Sequence, residues 1–178
     1  MLIGSKKVPF YNTPVLHLNG SGLDFVECYK YLGCLFSNNM SDVEDIKRQT
    51  RSLCVRTNML IRKFALCSND VKVKLFTTFG QNLYCGHLWS RSDLKSMEKL
   101  RITDNNGLRL LLRQCKFCRA SAMFVKNNVL SLNEYIRKTI YGFKTRIQNT
   151  SNDLVRTVRD LMIYDSSLSR RWVNMLYS

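Results

Sequence analysis

The sequence predicts an α+β fold, a small antiparallel β-sheet at the N-terminus followed by a mainly α-helical bundle. Three features predict it. Up to Phe36, short runs of branched and aromatic residues alternate with turn residues. From Ser41 onward, apolar residues recur every three or four positions in segments that open on Ser, Asn or Asp. The connections between these segments are short, and no internal repeat or low-complexity linker interrupts them. The change of pattern divides the chain into residues 1–40 and residues 41–178.

Leu2-Ile3 begins a short strand that stops before Pro9, and Pro14–Leu18 reads as a second strand with Asn19-Gly20-Ser21-Gly22 as its turn. Leu23–Val26 reads as a third. The densest β-forming run, Tyr29–Phe36, reads as a fourth strand with Gly33 in its middle. Ser41-x-x-Glu44 has the form of a capping box, and a helix is expected from it to about Ala65. Val43, Ile46, Leu53, Cys54, Leu60, Ile61 and Phe64 form its apolar stripe. A second helix is expected over Val71–Trp89. A third starts near Ser92 and is interrupted or kinked at Asp104-Asn105-Asn106-Gly107. Cys115–Cys118 reads as a loop, and Ser121 opens a short helix to Val125. Ser131-x-x-Glu134 is a second capping box whose helix ends near Gln148. Ser151-Asn152-Asp153 and Ser166-Ser167 precede two last amphipathic helices.

The 178 residues suffice for one domain or two small lobes, and a hydrophobic content of 45% argues for a folded chain. No apolar run is long enough to span a bilayer, so no membrane partner is expected, and the first residues lack the pattern of a signal peptide. Seven scattered cysteines, an odd number placed mostly on expected apolar faces, suit reduced thiols packed as small hydrophobes in an intracellular protein. Charge is the strongest compositional signal: 28 Lys and Arg against 13 Asp and Glu, a net +15. Only Lys6, Lys7, Lys30, Asp24 and Glu27 lie in the first 40 residues, so the helical part carries the field. Such an excess calls for an anionic partner, nucleic acid before others.

No catalytic constellation is visible. No two aspartates are adjacent, and His17 and His87 have no evident nucleophile beside them. Cys115-x-x-Cys118 has the spacing of half a zinc site, but no second pair follows. The expected first helix is more informative. Arg48, Arg51 and Arg62 lie opposite its apolar stripe, with Lys47, Arg56 and Lys63 flanking them. Arg51 and Arg62 are about 16 Å apart along the axis. Such a helix can lie along a duplex with its cations on phosphates, and the same pattern also describes a solvated helix of a basic protein.

The ordered series Met1–Lys7, Val15–Gly22, Tyr29–Phe36 and the basic helix resembles the end of a reverse transcriptase of the non-LTR (LINE-type, jockey-like) retrotransposons. Leu60–Phe64, Leu75-Phe76, Leu88-Trp89, Leu108–Leu112, Ser121–Val125 and Arg137–Phe143 extend the resemblance over nearly the whole chain. In that family a segment similar to Met1–Lys7 ends motif D of the palm, a segment similar to Tyr29–Phe36 is the primer grip, and a helical thumb comes after it.

The resemblance implies a palm remnant with a primer-grip-like strand over residues 1–40, and a thumb-like helical domain with a C-terminal extension over residues 41–178. Tyr31, Leu32 and Gly33 would sit at the primer terminus, although a bulge or tight packing explains Gly33 equally well. Lys47, Arg48, Arg51, Arg62 and Lys63 would bind the backbone of an RNA–DNA hybrid or duplex primer–template. The paired aspartates that hold two Mg²⁺ ions in the family are not in this sequence. The chain is therefore expected to be a fragment that contributes primer–template binding, holds no cofactor, and would act with the missing palm and fingers of the parent polymerase. It is expected to be intracellular, and nuclear where expressed. The alternative is a non-enzymatic basic helical module that binds RNA, DNA or protein.

Overall fold

The structure, a computed structural model, describes residues 15–163 and 166–177. The strand expected at Leu2-Ile3, and the Met1–Lys7 segment with it, lie outside the described residues. The described chain is α+β: two antiparallel β-hairpins, then seven α-helices.

The hairpins are separate two-stranded units, where one four-stranded sheet was expected. β1 (His17–Leu18) pairs with β2 (Ser21–Gly22), so the turn is only Asn19-Gly20, and Leu23–Val26 adds no strand. β3 (Cys28–Tyr31) pairs with β4 (Cys34–Ser37), with Tyr31 opposite Cys34. The run Tyr29–Phe36 is thus a hairpin folded about Leu32-Gly33, and not one strand. Leu32 and Gly33 both have positive φ, 45° and 83°. That is the signature of the two-residue turn whose twist matches a right-twisted hairpin. Glycine adopts it without strain, and leucine does so at a cost.

α1 (Val43–Lys63) and α3 (Leu94–Leu111) form the most extensive helix pairing. Two apolar clusters lie along them. Ile46 and Leu53 of α1 and Leu100 of α3 join one cluster with Leu83, Trp89, Ile136, Ile140 and Trp172. Leu60 of α1 and Leu108 and Leu111 of α3 join the other with Phe76, Met123, Phe124 and Val129. Between the clusters, each element contributes a polar residue: Thr57 on α1, Asp104 on α3 and Gln81 before Leu83, all buried. The Gln81 amide donates to Asp104 Oδ2 at 3.0 Å and to the Leu130 carbonyl at 2.9 Å.

That polar layer explains why α3 runs unbroken through Asp104–Gly107, where an interruption was expected. Asp104 faces inward, and a Cβ on Gly107 would stand 3.1 Å from Thr57 Cγ2, so the glycine lets α1 and α3 approach closely. The helix expected over Val71–Trp89 is, by contrast, divided. α2 (Asn69–Leu75) passes into one π-helical turn at Phe76–Gly80, and a short 3₁₀ turn comes later at Gly86–Leu88. Arg56 donates to the carbonyls of Gly80 and Asn82 at 3.2 and 2.9 Å, taking acceptors a continuing helix would have used. Cys85 has φ +67°, which no helix interior accommodates.

α4 (Ala120–Lys126), α5 (Leu132–Gln148), α6 (Asp153–Ile163) and α7 (Ser167–Tyr177) complete the chain. The Ser131–Glu134 capping box forms. The expected box at Ser41 does not. Ser41 N–H donates to Ser37 Oγ and Asn39 Oδ1, Glu44 pairs with Lys47, and Asp42 Oδ2 instead accepts from the backbone of Ser90 at 2.7 Å and Arg91 at 2.5 Å. α7 closes over the 3₁₀ turn: Trp172 Nε1 donates to the His87 carbonyl at 2.9 Å, with Phe143 of α5 between the two rings.

The cysteines also differ from expectation. Cys34 and Cys85 are joined as a disulfide, and Cys28, Cys54, Cys115 and Cys118 are exposed, so the class is not one of packed free thiols. Cys54 lies just off the apolar stripe of α1, which Asp45, Gln49, Thr50 and Thr57 fill in its place.

Candidate nucleic-acid interface

The hairpin tip and α1 are joined through one buried carboxylate. Asp45 accepts from the Leu35 backbone N–H of β4 at 3.2 Å and from Trp89 Nε1 at 2.8 Å. Arg48 donates to Asp45 through Nε and Nη2, at 3.0 and 2.6 Å, and through Nη2 to the Gly33 carbonyl at 2.8 Å. Arg48 is therefore turned to the β3–β4 turn and away from the open side of α1. A charge-assisted bond of this kind is roughly twice as strong as a neutral one, so the tip is held firmly against the helix.

Tyr31, Leu32 and Gly33 come together at that tip. Tyr31 and Leu32 are exposed, at 58% and 73% of their surface. Gly33 is explained by the turn and by packing: a Cβ there would stand 2.8 Å from the Tyr84 ring. The adjacent Cys34–Cys85 bond ties the hairpin to the same segment.

The other cations are on the open side of α1. Arg51, Val55, Asn58 and Arg62 succeed one another at helical spacing, all exposed, with Lys47 and Lys63 to either side. No acidic residue occurs on α1 after Asp45. Lys47 pairs with Glu44 at 2.6 Å, both half-exposed, so this contact adds little to stability and leaves Lys47 able to exchange partners. Toward the C-terminal end, Val55, Asn58, Met59, Arg62 and Lys63 line an open hollow of about 420 Å³. Val55 and Met59 are exposed at 65% and 46%, so this end mixes cations with apolar surface.

Sequence pattern alone did not single out Lys95 and Lys99 of α3. Both line a hollow of about 240 Å³ together with Lys47, Thr50, Arg51 and Ser96. Their spacing of four was readable, but the face they share depends on how α3 lies against α1, which no local pattern gives.

Other candidates stay apart. Cys115 and Cys118 lie in an exposed turn, and among the described residues no group of three or more His, Cys, Asp or Glu could hold a metal ion. His87 is half-buried against Phe143, and burial, together with the charge of Arg146, lowers its pKa, which favours the neutral ring. No helix among the described residues is long and apolar enough to cross a membrane. No family model, curated protein or solved structure matches the chain.

Proposed function

We propose that the chain binds duplex nucleic acid, an RNA–DNA hybrid in particular, as the primer-grip and thumb fragment of a non-LTR retrotransposon reverse transcriptase. The observation that carries this reading is the open side of α1. Arg51 and Arg62 share a stripe with Lys47 and Lys63 beside it, no acid intervenes, and the hairpin tip with Tyr31 and Leu32 is fastened to the same helix through Arg48. Cations in a row suit successive phosphates, and the exposed Val55 and Met59 suit sugar faces. The fragment does no polymerase chemistry. Its sequence holds no adjacent aspartates, and the reading assigns metal binding to the missing palm, with which this chain would assemble. A nuclear location goes with the same reading.

Fluorescence anisotropy with a labelled RNA–DNA hybrid tests it. Binding is expected to be tolerant of sequence and to weaken steeply with salt, with log K falling linearly against log salt. Arg51→Gln/Arg62→Gln is expected to weaken binding about tenfold at low salt, about 1.4 kcal/mol, and to flatten the slope by about 2. Absent binding at low salt, or binding indifferent to salt, overturns the reading.

A further inference from the structure

The hollow between the N-terminal halves of α1 and α3 gathers more positive charge than the fold uses. Four of its six lining residues are cations, Lys47 and Arg51 from α1 and Lys95 and Lys99 from α3, and none is acidic. Each pair is spaced by one turn, about 6 Å along its helix, so the two helices offer two short rows of charge facing one space. The nearby carboxylates are engaged elsewhere or at the margin. Glu44 pairs with Lys47 at 2.6 Å, Glu98 is held by Arg101 at 2.6 Å, and Asp93 caps α3 by accepting from Ser96 N–H at 3.3 Å. Asp93 also feels the charge of Lys47. The side chains of Arg51, Lys95 and Lys99 have no hydrogen-bond or ion-pair partner among the described residues.

Like charges brought together in a concave space repel one another unless an anion sits among them. Both hydroxyls that line the hollow are already committed: Thr50 Oγ1 donates to the Ile46 carbonyl at 2.8 Å, and the Ser96 side chain is hydrogen-bonded to Asp93. The hollow therefore offers charge without directional readout, which suits phosphodiesters and not a base edge. Arg51 belongs both to this hollow and to the open stripe of α1, so the two surfaces are continuous.

We propose that the α1–α3 hollow binds a pair of adjacent phosphate groups, those of one nucleic-acid strand, with Lys95 and Lys99 gripping them from the side opposite Lys47 and Arg51. This rests on the duplex-binding reading above and adds α3 to the interface. Free pyrophosphate carries the same chemistry and serves as the second probe.

The test compares the whole chain with Lys95→Gln/Lys99→Gln and with Arg62→Gln/Lys63→Gln at the far end of α1. All four side chains are exposed, so the fold is expected to survive, as circular dichroism would check. Hybrid binding is read by anisotropy across salt, and pyrophosphate binding by calorimetry. The α3 variant is expected to weaken hybrid binding about tenfold, to lower the salt slope by about 2, and to lose pyrophosphate. The α1 variant is expected to weaken the hybrid alone. An α3 variant that binds the hybrid like the parent, with the α1 variant weakened, overturns this inference and leaves the duplex reading standing. Pyrophosphate bound by the parent and lost by the α3 variant, with no hybrid bound by either, supports the phosphate site and overturns the duplex reading. Neither ligand bound overturns both.

Discussion

Asp104 is fully buried on α3, and one of its oxygens, Oδ1, has no hydrogen-bond partner; Thr57 Oγ1, in the same layer, also lacks one. Burial pushes its carboxyl up to about 7, and the Gln81 amide counters this only in part. Because the folded pKa lies above the ordinary 3.8, the fold binds this proton more tightly than the unfolded chain does. The resulting stabilisation is full below about pH 4 and is lost as pH rises through about 7, a change on the order of 4 kcal/mol. Asp104→Asn keeps an acceptor for Gln81 and cannot ionise. Its melting temperature is expected to gain roughly 5–10 °C on the parent between pH 5 and pH 8. A gap that does not change with pH would show that Asp104 does not titrate across this range.

At the scale of elements, two identical sequence patterns have different outcomes. Ser131-x-x-Glu134 closes its box, with Glu134 Oε2 accepting from Ser131 N–H at 2.7 Å and from its hydroxyl at 2.8 Å. Ser41-x-x-Glu44 does not, because the loop from β4 takes the Ser41 N–H and Lys47 takes Glu44. Ser131→Ala is therefore expected to cost about 1 kcal/mol, a fall of roughly 2–4 °C on thermal unfolding, and Ser41→Ala less than half of that. Equal losses would mean that both boxes form in solution. The same contrast shows what was legible. α5, α6 and α7 were readable because caps and periodicity are local, and α1 was readable from its periodicity although its expected cap does not form. The hairpin at Leu32-Gly33 was not, because leucine at a position requiring positive φ is a poor turn signal. The division after Leu75 was not, because the side chain of Arg56, far away in sequence, takes the carbonyls of Gly80 and Asn82. For the interface, α1 supplied its cations from pattern alone. The turn of Arg48 to the Gly33 carbonyl and the addition of Lys95 and Lys99 are both consequences of tertiary packing.

At the scale of the molecule, three separate devices hold the β3–β4 hairpin to the helices: the Asp45–Arg48 network, the close seat of Gly33 on Tyr84, and the Cys34–Cys85 bond. Only the last depends on redox conditions, and thiols are kept reduced in the intracellular compartments that the proposed function requires. The bond joins residues 51 apart, enclosing α1 and α2. Closing a loop of that length restricts the unfolded chain by about 4 kcal/mol in the entropic account. A dithiol reductant is expected to lower the melting temperature by roughly 10 °C. It should also raise the number of reactive cysteines by two. Cys34→Ser/Cys85→Ser is expected to melt with the reduced parent and to ignore the reductant. Hybrid affinity should be unchanged in both. The open stripe and the phosphate hollow are positioned by α1 packing on α3, and the hairpin keeps its carboxylate–arginine anchor when the sulfurs part. If reduction abolished hybrid binding while circular dichroism still reported intact helices, the hairpin would be the principal contact with nucleic acid, and the role proposed for α1 would fall.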